Sequence, residues 1–157
     1  MGARHRPLAG AGASAPDPWP QALALHPYEY IYFNALAGDP GTLHERYDTE
    51  YWVTSYREAA EWLNGIQART EAPLKVGVAA NEGSIGAMMP FLNERTHLHL
   101  FSPLEDFSTT PWIDGMDYFV STVRYRTWRD FPSGPEAKRL ERGGMLLAVI
   151  RRAPEAQ

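Results

Sequence analysis

The chain of 157 residues contains no cysteine, which excludes disulfide bridges, thiolate nucleophiles and cysteine-ligated zinc or iron–sulfur centres. It also lacks long hydrophobic runs. Nothing approaches the roughly 18–20 consecutive apolar residues that span a bilayer, and residues 1–25 lack the uninterrupted apolar stretch of a signal peptide. The isolated chain is therefore expected to be soluble and to carry no export address. Positive charge is scarce as well: 15 Lys and Arg stand against 19 Asp and Glu, a net charge of −4. That balance does not suit a protein that tracks a phosphate backbone, so no nucleic acid partner is expected.

What is present is an ordinary globular composition, 44% hydrophobic and 22% charged, with one unusual feature. Aromatic rings crowd the segment from His26 to Glu58, which reads His26-Pro-Tyr-Glu-Tyr-Ile-Tyr-Phe-Asn34, a Gly-rich turn, and then Tyr47-Asp-Thr-Glu-Tyr-Trp-Val-Thr-Ser-Tyr-Arg-Glu58. Each packed ring removes on the order of 150–250 Å² from water. Such a segment is either wrapped on a core or presents a docking face. Ahead of it, residues 1–24 are rich in Ala, Gly and Pro without periodicity, the pattern of a disordered leader. A single domain over 25–152 follows, with a short disordered tail at 153–157, and there are no internal repeats.

Within the domain, Ser55-x-x-Glu58 has the form of a capping box, and Ala59, Trp62, Leu63 and Ile66 recur at helical spacing, predicting a helix over 56–69. Apolar or alternating runs at 74–80, 96–101, 118–123 and 145–150 read as strands. The run from Asn81 to Ser84 opens a second helix bearing Ile85, Met88, Met89 and Leu92, which Pro90 keeps short or kinked. This order predicts an α/β fold: a small, mostly parallel sheet of about four strands, helices packed on it, and the final strand antiparallel at one edge.

Chemistry is sparse. The turn from 81 to 86, Asn-Glu-Gly-Ser-Ile-Gly, lies where a strand hands over to a helix. Asn81, Gly83, Ser84 and Gly86 there are the candidates for holding an anion on free backbone N–H groups. The spacing matches neither a dinucleotide fingerprint nor a P-loop, Glu82 brings negative charge, and a plain capped turn accounts for the same residues. His97 and His99 fall on one face of a strand, but no third ligand has suitable spacing, so no metal is expected; the two read as polar positions alternating with core Leu98, Leu100 and Phe101. Ser55 and Ser84 have no nucleophile-elbow context or identifiable base. Arg124, Arg126 and Arg129 alternate with Tyr125 and Trp128, a solvated segment suited to cation–π contacts.

The block His26-Pro27-Tyr28-x-Tyr30-x-Tyr32-x-Asn34, followed by a Gly-rich turn and Tyr51-Trp52-x-x-Ser55-Tyr56-x-Glu58-Ala59, resembles the C-terminal soluble region of polytopic bacterial glycosyltransferases of the GT-C type. These are similar to the dolichyl-phosphate-mannose protein mannosyltransferases. Asp117-Tyr118-Phe119-Val120 and the closing run from Gly143 to Arg151 resemble the last strands of such regions, so the likeness spans about residues 25–152. The family pattern has Asp-Tyr-Trp-Gly where this chain has Glu50-Tyr51-Trp52-Val53.

The resemblance implies an accessory domain on the extracytoplasmic face of a bacterial membrane, partnered by the membrane domain of its glycosyltransferase. In that architecture the catalytic acid and the polyprenyl-phosphate-sugar donor belong to the membrane portion, so the resemblance implies no catalytic residue and no cofactor here. His26, Tyr28, Tyr30, Tyr32, Asn34, Tyr51 and Trp52 become docking or substrate-lining candidates, facing a lipid-linked sugar or its acceptor. The other reading is a free-standing module that holds an anionic small molecule at the 81–86 turn.

Overall fold

Tyr56, Ala59, Ala60, Leu63 and Gln67 recur at helical spacing, and in the computed structural model they form the buried stripe of helix α3 (Ser55–Gln67). The described residues are 19–28, 38–105, 107, 112–130 and 134–154. The outer face of α3 is polar and carries the exposed Arg57–Glu61 pair at 2.9 Å, the favourable i, i+4 spacing. Gln67 ends the stripe and holds the next connection. Its amide nitrogen donates to the carbonyls of Thr70 and Ala72, and its oxygen accepts from the backbone N–H of Leu74.

That connection delivers the chain into β1 (Leu74–Ala79), an interior strand of a sheet completed by β2 (Thr96–Phe101), β3 (Tyr118–Thr122), β4 (Glu136–Arg142) and β5 (Met145–Arg152). The strand order is β2-β1-β3-β5-β4. β1 pairs parallel with β2 and β3, whereas β5 pairs antiparallel with β3 and β4. The α/β class and the parallel core are as the sequence predicts. One strand had no counterpart in the sequence reading. β4 is the antiparallel edge, and the final strand β5 lies inside the sheet between β3 and β4. The run Glu-Ala-Lys-Arg-Leu-Glu-Arg buries only Leu140, so it has no hydrophobic alternation to betray it. Its signal is the turn that follows: Gly143 and Gly144 take φ of 56° and 81°, the left-handed pair that joins antiparallel strands in a two-residue hairpin.

The α3 face of the sheet buries Val76, Val78, Val120, Ala148 and Ile150 against Tyr56, Ala59, Ala60 and Leu63. The opposite face buries Ala79 and Phe119, packed with Phe101, Phe107, Trp112 and Ile113. Gly77 makes that second layer possible, since a Cβ there would lie 2.5 Å from the Phe119 ring. Strand β1 is thus covered on both sides, which is why it reads as a nearly unbroken apolar run.

Among the described residues four short α-helices accompany α3: α1 (Trp19–Ala24), α2 (Pro40–Leu43), α4 (Glu82–Ile85) and α5 (Thr127–Asp130). Residues 19–24, read from composition as part of a leader, are helical in α1. The second helix is shorter than expected: α4 ends at Ile85 with Gly86 as its C-cap, so Met88, Met89 and Leu92 lie beyond it and Pro90 falls in a separate 3-10 turn, Met89–Phe91. Leu100, expected in the core, is 43% exposed on the edge strand β2. No described helix is long and apolar enough to cross a membrane.

Candidate functional site

The parallel pairing of β1 with β3 brings their carboxyl ends together, Val78 beside Val120. The chain leaving β1 crosses to β2 on one side while β3 lies on the other, and open α/β sheets form a ligand crevice at such a divergence. Here the crevice is a cleft of about 360 Å³. Asn81, Gly83 and Ser84 line it from the β1–α4 turn, Arg124 from the segment after β3, and Tyr51, Trp52 and Val53 from the loop before α3. Residues from the two separate sequence candidates, the aromatic block and the strand-to-helix turn, therefore share one cavity.

The loop before α3 is pinned from several sides. Thr49 Oγ1 donates to the carbonyl of Leu146, and the backbone N–H of Val53 donates to the carbonyl of Glu50. Arg124 Nη1 donates to the carbonyl of Tyr51 at 2.7 Å, and its guanidinium lies 4.9 Å from the centroid of the Tyr51 ring. With the backbone held this way, Tyr51 and Trp52 stand outward at 53% and 66% exposure, their rings edge to face at 5.1 Å. Val53 takes a φ of 51°, a left-handed conformation costly for a β-branched residue.

Glu50 shows why the capping-box expectation fails. The carboxylate is fully buried, and its Oε1 accepts from the backbone N–H of Ser55 at 2.6 Å, so Glu50 caps α3 from outside the helix. Ser55 Oγ is buried without a hydrogen-bond partner, so it does not cap. Glu58 is drawn elsewhere, accepting from the Tyr28 hydroxyl at 2.6 Å and from Arg142. Tyr56 closes the same region by donating its hydroxyl to the carbonyl of Ala79 at the end of β1.

The sequence candidates thus separate. Tyr51 and Trp52 reach the cleft, as do Asn81, Gly83 and Ser84. Tyr28 does not act as a docking group: it is fully buried, and its ring lies under the Arg142 guanidinium. Burial first, and then the Glu58 hydrogen bond and charge, push its phenol above the ordinary tyrosine value. His26 is exposed in the turn after α1. Tyr30, Tyr32 and Asn34 lie outside the described residues. Gly86 ends α4 with ordinary right-handed backbone and lies off the cleft.

As an anion site the 81–86 turn is weak. Asn81 Oδ1 already accepts from Ser84 N and Ser84 Oγ, at 2.8 and 2.7 Å, and Glu82 is the first residue of a four-residue helix. A neighbouring groove of about 460 Å³ shares Asn81 but is otherwise walled by Glu82, Leu100, Leu104 and their neighbours, and it offers little polar chemistry. A smaller hollow lies by His44, whose imidazole is held below its usual value by burial and stacks edge to face on Trp128. Among the described residues no three His, Asp or Glu side chains converge to hold a metal ion. His97 and His99 are both exposed on the edge strand β2.

Arg124 and Glu50 are the residues sequence reasoning undervalued. Each acts on a backbone group distant in sequence or hidden by burial, and no local spacing signals that. Compared with known protein families, with curated proteins and with solved structures, the chain gives no match.

Proposed function

We propose that this chain is an accessory domain of a membrane glycosyltransferase that uses a polyprenyl-phosphate-linked sugar. It stands at the extracytoplasmic face, is non-catalytic by itself, and helps shape the path of the donor or acceptor. The observation that carries this reading is the pinned loop that holds Tyr51 and Trp52 in the open at the mouth of the cleft. Two further facts support it. The ends of the motif block that carries the resemblance meet in space, through the Tyr28–Glu58 hydrogen bond. Among the described residues that line the cleft there is no carboxylate and no imidazole, a lining that suits binding rather than proton transfer.

The rival reading, an independent module for an anionic ligand at the 81–86 turn, has less in its favour because its donors and its charge are already engaged or opposed. The test is to express the domain together with its membrane portion and replace Tyr51 and Trp52 with Ala. Sugar transfer should fall about tenfold or more, the loss expected when positioning contacts are removed, while the domain stays folded, because both rings are exposed and the lost Arg124–Tyr51 contact is worth only about 0.5–1 kcal/mol at such a site. Wild-type transfer by the folded double variant would rule the role out.

A further inference from the structure

We infer that the cleft binds a neutral sugar ring, stacked on the face of Trp52 and hydrogen-bonded through its hydroxyls to Asn81 and Ser84, and that it does not select phosphate. The inference deepens the reading of the cleft as a lining surface, but it does not depend on the membrane partner. Its volume of about 360 Å³ falls within the range of small-molecule pockets, roughly 300–1,000 Å³.

The argument rests on which groups remain available. Asn81 Oδ1 accepts from both Ser84 N and Ser84 Oγ, and this fixes the orientation of the carboxamide. In a planar amide the nitrogen then points away from α4, offering its N–H donors. Ser84 Oγ has given its proton to Asn81 and keeps its lone pairs as acceptors. A donor beside an acceptor matches hydroxyl groups, which do both. A phosphate dianion only accepts, and it would want donors and positive charge throughout.

The positive charge is engaged. Arg124 gives Nη1 to the Tyr51 carbonyl, lays its plane over the Tyr51 ring, and makes further interactions besides. It props the loop. The side chain left to meet a ligand is Trp52, 66% exposed beside Tyr51. An indole face is apolar and electron-rich, complementary to the C–H face of a pyranose. Glu82 at the start of α4 adds negative charge that a neutral ligand tolerates and an anion does not.

The indole N–H signal of Trp52 in the ¹⁵N-labelled chain, assigned with Trp52→Phe, reads occupancy directly. The probes are the methyl glycosides of glucose, galactose, mannose and N-acetylglucosamine, with inorganic phosphate and the corresponding glycosyl phosphates as the other arms. At least one methyl glycoside should give a saturable shift in the millimolar range, with phosphate leaving the signal in place and glycosyl phosphates binding no more tightly than the neutral glycoside. Asn81→Asp keeps the oxygen that caps α4 but removes the donors, and should weaken the glycoside about tenfold, the effect of one lost hydrogen-bonding group.

A flat titration with every glycoside, tighter binding of phosphate or glycosyl phosphate, or undiminished binding by a folded Asn81→Asp variant would each overturn the inference. The two readings fail separately. Loss of sugar transfer in the Trp52 variant with a flat titration would leave the accessory role standing and remove the neutral-sugar site; a positive titration with normal transfer would do the reverse.

Discussion

Val53 shows how a single residue can work against its own backbone. Its side chain is 5% exposed and belongs to the core beside α3, yet its φ of 51° places it where L residues with branched Cβ atoms are strained. Packing and strain therefore oppose each other at one position. Val53→Ala loses buried methyl groups and keeps the left-handed strain, so it should cost about 1–2 kcal/mol. Val53→Gly loses the same methyl groups and the β-carbon besides, but releases strain of about 1–2 kcal/mol, offset in part by the extra freedom of an unfolded glycine. Urea titration should find the glycine variant at least as stable as the alanine variant, the reverse of the order expected inside a regular helix or strand. An alanine variant clearly the more stable of the two would show the angle to be unstrained.

At the scale of elements, the sheet is held in register by what its two faces must accommodate. Strand β1 carries Val76 and Val78 to the α3 side and Gly77 and Ala79 to the other, where Phe119 lies across the glycine. Gly77→Ala would force its methyl group into a ring 2.5 Å away, and overpacking of this kind costs about 1–3 kcal/mol. Combining it with Phe119→Leu should recover part of that loss, a coupling that a double-mutant cycle in urea reports directly. Simple additivity would mean that the ring and the glycine do not share space. Strand β4 illustrates the opposite case. Its outer positions bear Glu136, Lys138, Arg139 and Glu141, with ion pairs from Arg139 to Glu136 and Glu141 and register shifts near both ends of its pairing. Charges and bulges of this sort discourage further strands from adding to an edge. They also erase the alternation by which strands are recognised in sequence.

For the molecule as a whole, the stability of the fold is linked to pH through two buried phenols. Tyr28 and Tyr56 are both held above the ordinary tyrosine value, with burial the leading cause in each. In the unfolded chain they ionise near pH 10, so above that pH the native state binds more protons than the unfolded one. The contribution is complete below pH 10 and is lost progressively above it, at about 1.4 kcal/mol per pH unit for each phenol. Chemical denaturation at increasing alkaline pH should show this decline, and it should flatten in the Tyr28→Phe, Tyr56→Phe double variant. An equal slope in that variant would assign the decline to other groups. By itself the sequence determined the α/β class, the long helix, the four apolar strands and the absence of a local catalytic signature, because hydrophobic periodicity and turn residues act over a few neighbouring positions. The tertiary structure alone decided that β4 closes the sheet, that Glu50 rather than Ser55 caps α3, that Tyr28 is a buried strut, and that Tyr51, Trp52, Asn81 and Arg124 share one cleft. Those outcomes depend on contacts between distant segments, on which residues a second layer hides from water, and on which carboxyl ends the parallel pairing sets side by side.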